Sequence, residues 1–110
     1  MTVNFYSYPL GQKYADGLER VELYVFGKDL EFVAKPPEQQ RVPVTLITRT
    51  GRYRAGMRTY PRTGDVYICP DLVAERDDRK TSLAKVLKDL GVKPDGEVQI
   101  TIDGATLTLL

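Results

Sequence analysis

Histidine and tryptophan are absent from this chain, and cysteine occurs once, at Cys69. Without histidine, a serine or cysteine nucleophile has no imidazole to take its proton, and there is no imidazole metal ligand. A single cysteine excludes an internal disulfide and a cysteine zinc cluster. No P-loop and no glycine-rich dinucleotide fingerprint occurs. No run of eighteen apolar residues is present to cross a membrane as a helix. Asn4, Tyr6, Tyr8 and Pro9 interrupt the apolar core that a secretion signal would need. The expectation from these absences is a non-enzymatic chain with no cofactor, no metal and no membrane span, in a reducing cytoplasm.

What remains is an ordinary globular composition. At 110 residues, with 42% hydrophobic and 28% charged residues, the chain is expected to be one domain over 1–110 with a small core. Its charge is uneven. The net charge is +1, yet Arg49 to Arg62 holds five arginines and no acid, so the remainder sums to −4. Such asymmetry points to one positive face on a mildly acidic body.

Periodicity gives the order of elements. Residues 1–19 are rich in aromatics and turn formers, and read as a lead-in packed on the body, with a short strand near Val3 to Tyr6. Val21, Leu23 and Val25 alternate with Arg20, Glu22 and Tyr24, as in a half-buried strand. After a turn at Gly27-Lys28-Asp29, Leu30 to Ala34 reads as a returning strand. Lys35 to Gln40 is a polar connector. Val42, Val44 and Leu46 form the next strand, an edge strand or one that begins at Pro43.

From Arg52 to Tyr60, Tyr53, Ala55, Met57 and Thr59 share one face. Arg52, Arg54, Arg58 and Tyr60 share the other, with Gly56 between them. Pro61 to Gly64 is a turn, and Val66 and Ile68 mark another strand. Leu72 to Lys80 reads as a charged loop. Thr81 is the expected N-cap of a helix over about 81–90, with Leu83, Val86, Leu87 and Leu90 as its apolar stripe and Gly91 as its stop. Val98, Ile100 and Ile102, then Asp103-Gly104, then Leu107 and Leu109, form a C-terminal hairpin. The fold class expected is mostly β (α+β): a small antiparallel barrel or pseudobarrel, with one helix plugging an end.

Residues 65–110 carry a strand, a helix ending Lys88-Asp89-Leu90-Gly91-Val92-Lys93-Pro94-Asp95-Gly96, and then the hairpin. This resembles the AbrB/MazE class of swapped-hairpin DNA-binding domains. Asp95-Gly96 reverses that class's usual order, and Pro70 to Lys80 intervenes between strand and helix. The succession of strands, connector, strand, helix and two strands is also similar to the DNA-recognition pseudobarrels of plant transcription factors and of the EcoRII effector domain. That likeness implies a DNA-contacting arm at Arg58 to Gly64.

The arginine strand is the leading candidate site. Guanidiniums on alternate residues stand roughly 7 Å apart, close to phosphate spacing. Arg52, Arg54, Arg58 and Arg62 are the expected phosphate clamps, and Tyr60 the residue to stack on a base or hydrogen-bond a phosphate. The alternative for the same side chains is a solvated face paired with Glu22, Asp65 or Glu97 on neighbouring strands. The functional expectation is therefore a nucleic-acid-binding module. A second reading is an adaptor or inhibitor, of the sort a phage or mobile element carries, docking this face on an acidic protein surface. A third is a small-molecule barrel with an aromatic mouth of Tyr6, Tyr8 and Tyr14. The last strand, Leu107 to Leu110, is either interior or a pairing edge for a homodimer.

Overall fold

Alternation of apolar and polar residues builds nine strands, and a computed structural model describes their arrangement over residues 1–25 and 27–109. The strands are β1 (Thr2–Lys13), β2 (Glu19–Val25), β3 (Val42–Thr48), β4 (Gly51–Thr59), β5 (Val66–Ile68), β6 (Asp71–Ala74), β7 (Lys80–Ser82), β8 (Glu97–Asp103) and β9 (Thr106–Leu109). Among the described residues there is one α-helix, α1 (Leu83–Asp89), between β7 and β8. Seven strands pair in the order β3-β9-β8-β1-β2-β5-β4, and β4 returns to β3, closing a barrel. β6 and β7 extend the sheet from the first half of β4. The expected small barrel with one helix is thus observed. It is mixed rather than antiparallel, because β3 and β9 run parallel.

Inward residues of the strands form one core, which fills the barrel and continues beneath β6. Phe5, Leu23, Leu46, Ile68, Leu72, Ile100 and Leu107 are fully buried, and Leu83 of α1 joins them. The helix packs on β2 and β7 through the stripe expected of it, with Leu83, Val86 and Leu87 buried. Its end follows the sequence: Gly91 has φ +80, Gly91 N–H donates to Lys88 O and Val92 N–H to Leu87 O. These two bonds form a Schellman cap, which needs a residue in the left-handed region.

Several expectations change. The lead-in is a twelve-residue strand in the barrel wall, paired with β8 through Thr2 to Tyr6 and with β2 from Tyr6 onward. Pro9 is accommodated because Ser7 N–H donates to Gly96 O. The amide position two residues on faces the same side, past the end of β8, so no ladder bond is lost there. Pro43 obeys the same logic at the start of β3. Thr45 N–H donates to Ala105 O, and β9 pairing begins only there.

Leu30 to Ala34 is not a strand. Gly27–Phe32 is a 3-10 helix, and Leu30 and Val33 reach the core at its spacing of three. The connector that follows is held by Thr59, whose hydroxyl donates to Pro36 O at 2.6 Å. Residues 72–80 are not a plain loop but most of the β6–β7 hairpin, with Leu72 buried beneath it. The helix N-cap is Ser82, not Thr81: its Oγ accepts from Lys85 N–H at 3.1 Å, while Thr81 lies within β7. The C-terminal hairpin turns at Gly104-Ala105, one residue later than expected, closed by the Asp103–Thr106 pair. β9 is interior, flanked by β8 and β3 over its described residues; Leu110 lies outside them. Among the described residues no helix is long and apolar enough to cross a membrane.

Candidate nucleic-acid interface

β4 separates its faces as the alternation requires. Ala55, Met57 and Thr59 are buried inward, and Arg52, Arg54, Gly56 and Arg58 point outward. The arginine stripe then divides at Gly56, because β4 has different neighbours on either side of it. Its first half pairs with β6 and its second half with β5.

In the first half the arginines meet acids of the β6–β7 turn. Arg52 Nε lies 3.0 Å from Glu75 Oε2, and Arg54 pairs with Asp78. Neither acid is one of the three that the strand pattern had put forward. The turn is too local and too polar to read as a hairpin, so its acids could not be placed opposite β4 in advance. Both pairs are exposed, and pairs of this kind contribute only about 0–1 kcal/mol.

In the second half Arg58 is half-buried and stands opposite Tyr67 of β5. Tyr67 stands opposite Tyr24 of β2, and Tyr24 opposite Tyr6 of β1. One residue pair along, Glu22 faces Tyr8. Pairing register thus gathers side chains from four strands onto one outer face. Tyr24 is the hub: its ring stacks on Tyr67 at 5.0 Å and meets Tyr8 and Tyr60 edge-on at 5.8 and 6.4 Å. Offset and edge-to-face contacts at these separations are favourable aromatic geometries. Tyr24 Oη donates to Glu22 Oε1 at 3.0 Å. A shallow hollow of about 280 Å³ lies among Tyr8, Glu22, Tyr24, Tyr60, Thr63 and Asp65. Tyr8 remains 57% exposed, so one ring of the cluster is offered to solvent.

Arg62 is exposed on the turn that follows β4, a turn fixed by Tyr60 N–H donating to Asp65 O and Thr63 Oγ1 donating to Asp65 Oδ2. Lys35 Nζ reaches the same turn beside Gly64. Of the five site residues expected, Arg58, Tyr60 and Arg62 lie at or beside the tyrosine cluster, and Arg52 and Arg54 lie apart in ion pairs. The residues sequence reasoning missed are Tyr24 and Tyr67. Their outward phase was visible, but their adjacency depends on the β2–β5 register.

Protonation states follow from partial burial. Burial raises the phenols of Tyr24 and Tyr67, so both remain hydrogen-bond donors. Burial also raises Glu22 above its ordinary 4.5, against the opposing pull of the Tyr24 hydrogen bond and Arg20. Cys69 is raised by burial, with Arg41 and Arg58 opposing, and stays a thiol at neutral pH. Tyr14 is held elsewhere. Its Oη donates to Asp71 at 3.0 Å, Arg20 lies 5.2 Å over its ring, and its pKa is pushed up to about 12, chiefly by burial and then by Asp71. It therefore pins the far end of the β1–β2 hairpin to β6, and does not form a mouth with Tyr6 and Tyr8, which lie on the outer face of β1.

No protein-family model matches the chain, and neither a curated protein nor a solved structure matches it.

Proposed function

We propose that the chain is a non-enzymatic module that binds single-stranded nucleic acid on the outer face formed by β1, β2, β5 and the second half of β4. The observation that carries this reading is the tyrosine cluster centred on Tyr24, with exposed Tyr8 at its edge and Arg58, Arg62 and Lys35 around it. Aromatic rings give unpaired bases a surface to stack on, and flanking cations meet the phosphates. Unpaired bases suit this face, because a base inside a duplex is already stacked on its neighbours and offers its face only when the step is unstacked. Arg52 and Arg54 extend the cationic track once a phosphate displaces Glu75 and Asp78. A cytoplasmic setting belongs to the same proposal.

The test is fluorescence anisotropy of labelled single- and double-stranded oligonucleotides across a salt series. Single strands are expected to bind more tightly than duplex, with affinity falling as salt rises. Tyr8→Ala, an exposed substitution, is expected to weaken single-strand binding by about 1–3 kcal/mol. It should leave stability within about 0.5 kcal/mol. Absence of binding at low salt by the folded wild-type protein would overturn the reading.

A second reading draws on the same side chains. Tyrosine and arginine are enriched at the energetic centres of protein interfaces, and a face with exposed Tyr8 at one side and Arg58, opposite Tyr67, at the other has that character. A flat anisotropy series with stable capture of an acidic protein partner would favour it.

A further inference from the structure

At one end of the barrel, α1 and the segment that follows it cover a hollow of about 250 Å³ against β1 and β2. Leu18, Val21, Ala84, Leu87 and Val92 supply its apolar lining, and Ser7 the buried polar group. Ser7 continues the inward face of β1 after Val3 and Phe5, the position where a third apolar residue would complete the pattern. The serine is 5% exposed, and its Oγ has no hydrogen-bond partner. Its backbone amide is satisfied by Gly96 O at 2.8 Å, so the unmet group is the side chain alone. A buried hydroxyl left unpaired carries the full penalty of its lost hydration, whereas alanine there would carry none.

We propose that this hollow is a binding site for a small neutral molecule, one ring or a short chain, carrying a single hydroxyl or carbonyl that bonds to Ser7 Oγ. Size sets the first limit. A cavity of roughly 150 Å³ accepts benzene, and this one has room for a ring with a short substituent. Polarity sets the second, because Ser7 is the one buried polar side chain in the lining. Charge sets the third. The lining holds one anion, Glu19, and one cation, Lys88, and Glu19 already accepts from Gly11 N–H at 2.8 Å. A charged ligand gains no net counter-charge there. None of these residues belongs to the tyrosine face, so the two sites stand or fall separately.

The experiment is a titration of the isotope-labelled protein with p-cresol and with toluene, followed by amide chemical shifts. Saturable shifts are expected at Leu18, Val21, Ala84, Leu87 and Val92, with p-cresol binding roughly 2- to 10-fold tighter than toluene. Ser7→Ala is expected to stay folded and to erase that ratio. Ala84→Phe fills the hollow and is expected to abolish binding of both probes; Ala84→Leu serves where the larger side chain prevents folding. The proposal is overturned by the absence of saturable shifts with either probe, as expected of a hollow that holds only water. Shifts confined to the tyrosine face, a ratio that survives Ser7→Ala, or undiminished binding in a folded Ala84 variant would overturn it equally.

Discussion

Arg41 lies across Gly56, occupying the space a side chain on β4 would take, and brings its guanidinium to the Cys69 thiol. A Cβ at Gly56 would overlap the Arg41 side chain, and Gly56 is not among the residues with positive φ. Glycine is needed there for room and not for backbone conformation. Gly56→Ala is expected to displace Arg41 and uncover Cys69, because a flexible side chain gives way more easily than a strand. Thiol labelling of the folded protein by a disulfide reagent should accelerate severalfold, with stability changing by less than about 1 kcal/mol. Unchanged labelling would show that Arg41 does not shield the thiol.

Glu22 makes stability depend on pH in a defined direction. Its folded pKa is raised by burial, so the folded state holds the proton more tightly than the unfolded chain. That contribution is fully present below the ordinary value of 4.5 and is lost as pH rises through the raised one. Glu22→Gln keeps an acceptor for Tyr24 Oη and removes the titration. Urea midpoints measured from pH 4 to pH 8 should match at the acidic end and favour the variant above the window. Parallel curves for the two proteins would contradict the assignment.

The acids of the β6–β7 turn restrain the first half of the arginine stripe. Freeing Arg52 and Arg54 with the pair Glu75→Gln and Asp78→Asn is expected to tighten single-strand binding. The log–log salt slope should steepen by roughly 0.7 for each arginine that gains a phosphate. Asparagine suits position 78, where φ is +57, because it tolerates the left-handed region. The lost ion pairs should cost no more than about 1 kcal/mol each. An unchanged slope would confine the interface to the second half of the strand.

Ser82 and Thr81 are neighbouring hydroxyls with different duties. Only Ser82 accepts from the helix, at Lys85 N–H. Ser82→Ala is expected to cost about 1 kcal/mol in chemical denaturation, and Thr81→Ala within about 0.5 kcal/mol. Equal losses would place the cap elsewhere.

Local patterns predicted the elements whose inward and outward residues differ sharply. The two faces of β4 and the Leu83, Val86 and Leu87 stripe are where alternation and helical spacing put them, and so are the strands of the C-terminal hairpin, with its turn one residue later. β1 was legible only in part, since Ser7 stands at an inward position and Pro9 and Gly11 break the run. The β6–β7 hairpin was hidden because Asp71–Ala74 is four residues long and its turn is charged. The candidate site depended on register. Tyr8, Tyr24 and Tyr67 are scattered along the chain and become neighbours only through β1–β2 and β2–β5 pairing. Likewise, Glu75 and Asp78 meet the arginines only because β6 takes the first half of β4, leaving β5 the second.

The parallel seam between β3 and β9 has a kinetic consequence. β3 is made early and waits for the last strand, while β1 waits for β8 to take its other edge. A nascent chain that has emerged only as far as α1 has hairpins and an unsealed wall, with backbone donors of β1 and β3 still open to other strands. Contacts so distant along the chain slow folding, because the loops they close must be ordered before any pairing rewards them. Closure is thus deferred until synthesis has passed β9, and in that interval, not in the finished barrel, this protein is most exposed to mispairing with its own copies.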